Sequence, residues 1–408
     1  MNVNEIRAFF PILSEKIEGR PLVYLDNAAT SQRPYTVTDK VLEINNFANA
    51  NIHRAVHTLA GRATEAFEGA RKEVAKFIGA ASASEIVFTS GATASINLVA
   101  TSFGQRFIGK GDEIIVSEAE HHSNIVPWQL LCERSGAVLK VLKVLEDGEL
   151  DIENLDSLIT PRTKIAAFAH ISNVLGIVNP IDQIIDICHG RGVPVLIDGA
   201  QGIVHEKIDV SALDVDFYVF SGHKMFASTG TGVLYAKKQW LEQMPPYMGG
   251  GEMIQNVSFS GTTFAEPPYK FEAGTQNISG VPTLVPAIDL LEKVFSDKEL
   301  LDNQERIRDY VLERLLSDGR INLYGVPRET FRKIPLFSFS VEGAHHEDLA
   351  LILDKMGIAV RSGQMCAEPL MDRFGVTGML RASFAPYNTM EEAEYFIESL
   401  QRAVKMLI

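Results

Sequence analysis

Between Ile86 and Ala236 the chain repeats one pattern, a short apolar run followed by a stretch with helical spacing. The runs are Ile86–Phe88, Ile114–Val116, Val138–Val144, Ile165–Ala169, Val193–Ile197, Phe217–Phe220 and Val233–Tyr235. Runs apolar on both faces, separated by amphipathic stretches such as Ile181 to His189, are strands covered by helices on both sides. The expectation is an α/β fold with a mostly parallel, seven-stranded sheet. A segment rich in Gly, Pro and polar residues follows, Pro245 to Gly280, too long for a simple connection and expected to form loops over a site. From Leu284 the pattern changes to a long amphipathic helix, then strands near Ile334–Val341 and Ile358–Val360, then a closing helix from Met390 to Leu407. That reads as a smaller α+β domain. The expected division is an N-terminal segment, 1–20, packing with the small domain, a large domain, 21–283, and the small domain, 284–408.

With 408 residues, 46% of them hydrophobic, the chain is long enough for both cores. Its net charge of −14 disfavours a nucleic-acid or anionic-membrane partner, which needs basic patches, and points to a small-molecule substrate. The apolar runs fall short of a membrane span, and the first residues lack the order of a signal peptide, so the expected location is the cytoplasm. Three cysteines, Cys132, Cys188 and Cys366, are an odd number without CxxC spacing, which argues against a disulfide framework or structural zinc.

In an open parallel sheet, ligands bind beyond the carboxyl ends of the strands. Two strand ends there carry chemistry. Val193–Ile197 leads into Asp198-Gly199-Ala200-Gln201, and Phe217–Phe220 into Ser221-Gly222-His223-Lys224. A lysine and an acid converging at one edge are what pyridoxal phosphate needs: an amine to link to its aldehyde and a carboxylate to hold its ring nitrogen protonated. Its phosphate needs backbone N–H groups at a helix start, which Ser90-Gly91-Ala92-Thr93 offers, with the Thr93 hydroxyl in addition. A flat partner for the ring is found in Glu120-His121-His122-Ser123-Asn124, with His121 the candidate. The paired histidines would also suit a metal, but no further His or Cys lies nearby at ligand spacing. Asn173, after another strand, is a candidate for the ring oxygen or a substrate carboxylate.

These residues carry a resemblance. The chain resembles the pyridoxal-phosphate-dependent cysteine desulfurases of fold type I, and within them the SUF-type second group, which also shows selenocysteine lyase activity. The similarity runs nearly end to end, from Arg7-Ala8-Phe9-Phe10-Pro11 and Tyr24-Leu25-Asp26-Asn27-Ala28-Ala29 through Asn51-Ile52-His53-Arg54 to Ala385-Pro386-Tyr387-Asn388-Thr389. Its most specific pieces are Glu120 to Trp128, Asp198 to Gln201, Phe220 to Lys224 and Phe271-Glu272-Ala273-Gly274-Thr275.

The resemblance implies that Lys224 carries the cofactor, Asp198 bonds its pyridine nitrogen, His121 stacks on the ring, and Gln201 and Asn173 touch its phenolic side. It gives the phosphate to Ala92, Thr93, Ser221 and His223, with Thr275 arriving from the other subunit of a homodimer. Arg381, with Arg361 nearby, would clamp the substrate carboxylate. Cys366, in Arg361-Ser362-Gly363-Gln364-Met365-Cys366-Ala367-Glu368-Pro369, aligns with the persulfide-forming residue of the short-loop group. Gln364 and Met365 depart from the family pattern, where many relatives carry two histidines. The implied reaction converts L-cysteine to L-alanine and passes sulfur from Cys366 to a SufE-like or SufU-like acceptor for iron–sulfur cluster assembly. The rivals are a selenocysteine lyase, which would share this site, and a non-catalytic sulfur carrier or scaffold, which intact Lys224, Asp198 and Arg381 disfavour.

Overall fold

The structure is a computed structural model that describes residues 2–329 and 332–408. Its central sheet comprises β1 (Ile86–Thr89), β2 (Glu113–Ser117), β3 (Val138–Leu142), β4 (Thr163–Ala169), β5 (Val195–Asp198), β6 (Phe217–Ser221) and β7 (Gly232–Ala236), in the order β1-β7-β6-β5-β4-β2-β3. Only β7 runs against its neighbours. This is the expected mostly parallel, seven-stranded α/β fold. Two strands start later than their apolar runs suggest, since β5 begins after Pro194 and the strand Leu336–Val341 after Pro335. Proline lacks the N–H that a ladder needs.

Helices α1 (Thr58–Phe77), α2 (Ala92–Phe107), α3 (Val126–Ser135), α4 (Ile181–His189) and α5 (Leu284–Ser296) cover the two faces. Side chains along a strand alternate between those faces. Phe217 and Val219 pack with Phe103 of α2 and Trp128 of α3, while Tyr218 and Phe220 belong to the core of α1, α4 and α5. Full burial of each such side chain stabilises the fold by about 1.5–3 kcal/mol, which both faces of the inner strands collect, whereas the edge strand β3 leaves Val138 and Val141 exposed. Arg71 of α1 lies inside the second core and is held by Glu272, with Nη1 and Nη2 donating to the carboxylate at 2.6 and 2.8 Å. The same carboxylate accepts the Phe88 N–H at 2.7 Å, which ties the segment around residue 272 to β1.

The expected long helix from Leu284 is two helices. α5 stops at Ser296, and the Asp297 carboxylate accepts the N–H groups of Glu299 and Leu300 to start α6 (Lys298–Ser317). A four-stranded antiparallel sheet follows, ordered β8 (Ile321–Tyr324), β9 (Leu336–Val341), β11 (Met379–Ser383) and β10 (Arg361–Gly363). It is packed with α6, α7 (His346–Lys355) and α9 (Met390–Leu407), which follows the short α8 (Glu368–Phe374). The run Ile358–Ala359 does not join that sheet but pairs in parallel with Val23–Tyr24. Within Pro245–Gly280 the chain forms a hairpin, Ile254–Ser258 with Gly261–Phe264, where irregular loops were expected. The β-branched Ile254, Val257, Thr262 and Thr263 suit strands, and Gly261 follows the turn. Among the described residues no helix is long and apolar enough to cross a membrane.

Candidate active site

The carboxyl ends of β1, β2, β4, β5 and β6 open into one cavity of about 200 Å³, closed on the far side by Arg361, Met365, Cys366 and Arg381 from the C-terminal part of the chain. Each strand end is shaped by its local sequence. After β6, residues Gly222–Lys224 form a tight turn in which a Cβ on Gly222 would lie 2.1 Å from Thr231 Oγ1, so only glycine fits. Ser31 fixes the turn by donating its N–H and hydroxyl to the His223 carbonyl at 3.1 and 3.0 Å, and its oxygen accepts the Phe226 N–H at 2.9 Å. Phe226 is held at φ 71°, a left-handed geometry that persists only when its surroundings impose it. Lys224 is thereby presented to the cavity on a rigid element.

Asp198 is the last residue of β5 and is buried, with Oδ1 accepting the Ala200 N–H at 3.0 Å. Burial raises its pKa and lowers that of Lys224, and each charge partly offsets the penalty of the other. A cationic ring nitrogen is the partner such a buried carboxylate lacks. His121 is likewise desolvated, which, together with the Lys224 charge, lowers its pKa to about 3. Its Nδ1 accepts the Ser123 N–H at 3.1 Å, so the neutral ring carries its proton on Nε2.

At the start of α2, Gly91 adopts φ 154° and ψ 170°, a region essentially reserved for glycine. A Cβ on Gly232 of β7 would come within 2.3 Å of the Gly91 Cα, so two glycines allow this close backbone approach. The Ala92 N–H donates to Ser221 Oγ at 2.8 Å, which leaves the Ser221 hydroxyl proton to donate elsewhere. Thr93 and His223 also line the cavity, and burial with the Lys224 and Arg33 charges lowers the His223 pKa to about 4. Backbone N–H groups, hydroxyls and a helix N-terminus make a donor set suited to phosphate.

Arg381 is buried on β11. Its Nη1 donates to the Asn173 carbonyl at 2.8 Å and its Nη2 to Asp26 at 3.0 Å, while Nε is buried with no hydrogen-bond partner among the described residues. The Asn173 side chain does something the sequence did not indicate, donating to the Met365 carbonyl at 2.9 Å. The Gln201 amide donates to the Ala28 carbonyl at 2.8 Å while the residue lines the cavity. Cys366 is exposed at the cavity wall, in contrast to the buried Cys188 and half-buried Cys132. Met365 and Cys366 are both left-handed, with φ 54° and 56°. Thr275 is exposed and outside the cavity of the single chain. Asp26 was missed as a partner of Arg381 because the two lie 355 positions apart. Glu120 was missed too. It is buried, accepts from Ser117 and from Asn124 Nδ2, and Asn124 in turn accepts the Trp128 indole N–H at 3.0 Å, so that the His121 turn is built on a polar network.

The family model described as aminotransferase class-V matches residues 23–396. The chain belongs to that family. Within the class-V aminotransferases it is 47% identical over 408 residues to a probable cysteine desulfurase of Vibrio cholerae, covering 100% of both chains. It is 46% identical over 406 residues to a cysteine desulfurase of Salmonella typhimurium, covering 99% of each. Among solved structures, the cysteine desulfurase CsdA of Escherichia coli, in an S-sulfonic acid form, matches with a TM-score of 0.90 at 38% identity over 100% of both chains. An apo cysteine desulfurase of Thermococcus onnurineus NA1 matches with a TM-score of 0.91 at 37% identity, over 99% of this chain and 98% of that one. The family's cofactor is pyridoxal phosphate, and the amine, buried carboxylate, neutral imidazole and phosphate-type donors of this cavity fit it.

Proposed function

We propose that the protein is a cysteine desulfurase that converts L-cysteine to L-alanine and receives the sulfur on Cys366. The observation that carries this reading is an exposed thiol on the wall of the cavity that also holds Lys224 and the unpartnered Nε of Arg381. The substrate carboxylate occupies Arg381, with Arg361 as a second cation. Bound through Lys224, pyridoxal phosphate supplies an electron sink for the bonds at the substrate's α-carbon. Asp198 holds the ring nitrogen protonated, His121 covers a ring face, and the start of α2 with Ser221 and His223 takes the phosphate. The Lys224 amine, once free, removes the α-proton. The Cys366 thiolate then attacks the substrate sulfur, so that an S–S bond forms and the Cβ–S bond breaks, its electron pair passing to the carbon skeleton. The proton given up by Cys366 passes by way of His121 to that carbon, and the Lys224 ammonium returns the α-proton, so that alanine forms and a persulfide remains on Cys366.

The reading extends to a homodimer in which Thr275 serves the other subunit's phosphate. In support, Thr275 is exposed and the hairpin after Pro245 shows Val257 and Phe259 to solvent. It also includes an acceptor protein of SufE-like or SufU-like kind, acting in iron–sulfur assembly. Cys366 sits on a short tied loop, so a partner's thiol must come to the sulfur. Three free cysteines fit the reducing cytoplasm.

The test is alanine release from L-cysteine by the cofactor-loaded protein, with Cys366→Ser alongside. Alanine formation that is lost in the variant, with cofactor still bound, supports the reading. No alanine from the wild type, or undiminished alanine from the variant, overturns it.

A further inference from the structure

We propose that His122 is the positioning residue that clips the Cys366 loop onto the active site. This rests on the reading of Cys366 as the attacking thiol. The loop spans Gln364 to Ala367, between β10 and α8. Two consecutive non-glycine residues in left-handed geometry, Met365 and Cys366, are strained and persist only where several contacts impose them. Three contacts reach the loop from the large sheet. Asn173 donates to the Met365 carbonyl at 2.9 Å. The other two come from His122, whose backbone N–H donates to the Cys366 carbonyl at 2.8 Å and whose Nε2 accepts the Glu368 N–H at 2.9 Å.

The two His122 bonds differ in what a substitution can remove. The backbone bond survives any side chain, whereas the imidazole bond holds the far end of the loop where α8 begins. Because Nε2 accepts an N–H, the clip requires a neutral ring protonated on Nδ1. His122 is next to His121, so the turn that bears the ring-stacking imidazole also fixes the thiol. The relative placement of cofactor face and Cys366 is set by two adjacent residues. Within the loop, Gln364 donates to Glu368 Oε1 at 3.1 Å and Met365 is buried. The imidazole contact to the loop is therefore supplied from outside it.

Glu368 is exposed, so water can replace the lost acceptor and a variant keeps its fold. Glutamine reaches as far as Nε2 and offers a carbonyl acceptor, whereas alanine offers none. The test compares wild type, His122→Ala and His122→Gln, all loaded with pyridoxal phosphate. Hydrogen–deuterium exchange is followed in the peptide covering 364–371, and kcat and KM for L-cysteine are measured by alanine release with a thiol reductant as acceptor. In His122→Ala, exchange of this peptide rises at least about fivefold, and kcat falls while KM stays within about twofold. His122→Gln restores both. Unchanged exchange in His122→Ala, or failure of His122→Gln to restore it, overturns the clip. Faster exchange with an unchanged kcat overturns the positioning role, whereas failure of the Cys366 reading shows separately as undiminished alanine from Cys366→Ser, so the two failures are distinguishable.

Discussion

Arg361 and Arg381 stand directly opposite one another on the antiparallel strands β10 and β11, and both line the cavity. Like charges facing across a strand pair are destabilising. Asp26 pairs with Arg381 at 3.0 Å, and the carboxylate of the proposed substrate would offset the positive charge that the pair still carries. Arg381→Ala is therefore expected to raise KM for L-cysteine at least about 30-fold, equivalent to about 2 kcal/mol, with cofactor content unchanged. Arg361→Ala, an exposed position, costs less. Steady-state kinetics on both variants check this, and an unchanged KM in Arg381→Ala contradicts the clamp.

Lys224→Ala is expected to bind pyridoxal phosphate without a covalent link, because the phosphate donors and Asp198 remain. Borohydride reduction followed by peptide mass mapping reads this directly. A reduced adduct on any other lysine counts against the assignment.

Acid is expected to destabilise the protein through one buried histidine, His170, and three half-buried ones, His121, His205 and His223. Burial lowers the pKa of His170 and His205 to about 4, and burial with the Lys224 charge lowers that of His121 to about 3 and that of His223 to about 4. Below the ordinary histidine value of about 6.5 the unfolded chain binds protons that the folded chain refuses. Their contribution is complete above that value and is lost as the pH falls. Glu120 acts in the opposite sense, since burial raises its carboxyl to about 7 and its contribution is lost as the pH rises through that value. The four histidines outweigh it, so Tm falls from pH 7 to pH 5. In Glu120→Gln the fall is steeper. Calorimetry across that range checks both, and a Tm that rises on acidification contradicts the account.

Arg71 and Glu272 are both buried, and Arg71 also donates to Glu68 at 2.9 and 3.1 Å, so neutralising Glu272 leaves the guanidinium with one of its two carboxylate partners. Glu272→Gln is expected to cost about 1.5–3 kcal/mol of stability, the worth of the charged hydrogen bonds it weakens. Thermal unfolding of the variant tests this, and an unchanged Tm would contradict the pair's structural weight.

The residues at strand ends were legible in the sequence because a parallel sheet gathers its carboxyl ends at one edge. Lys224, Asp198 and Thr93 follow from that rule alone, and the thiol loop from its resemblance to a known pattern. Contacts between distant segments were not legible. Asp26 meets Arg381 across 355 positions, and Glu368 meets His122 across 246. Nothing local marks Met365 and Cys366 as left-handed, since neither is a glycine or asparagine, and tertiary contacts impose the geometry. The break at Asp297 carried a local signal, an aspartate ahead of Glu299 and Leu300, which a continuous apolar period concealed.

The account stands most directly on where the sulfur goes. The measurement is a single turnover of the cofactor-loaded protein with L-cysteine in the absence of any acceptor, followed by alkylation and peptide mass spectrometry. One added sulfur atom on the peptide bearing Cys366, matched by one alanine released, is the predicted result. Sulfur found on Cys132 or Cys188, or alanine released with none retained on Cys366, would contradict it.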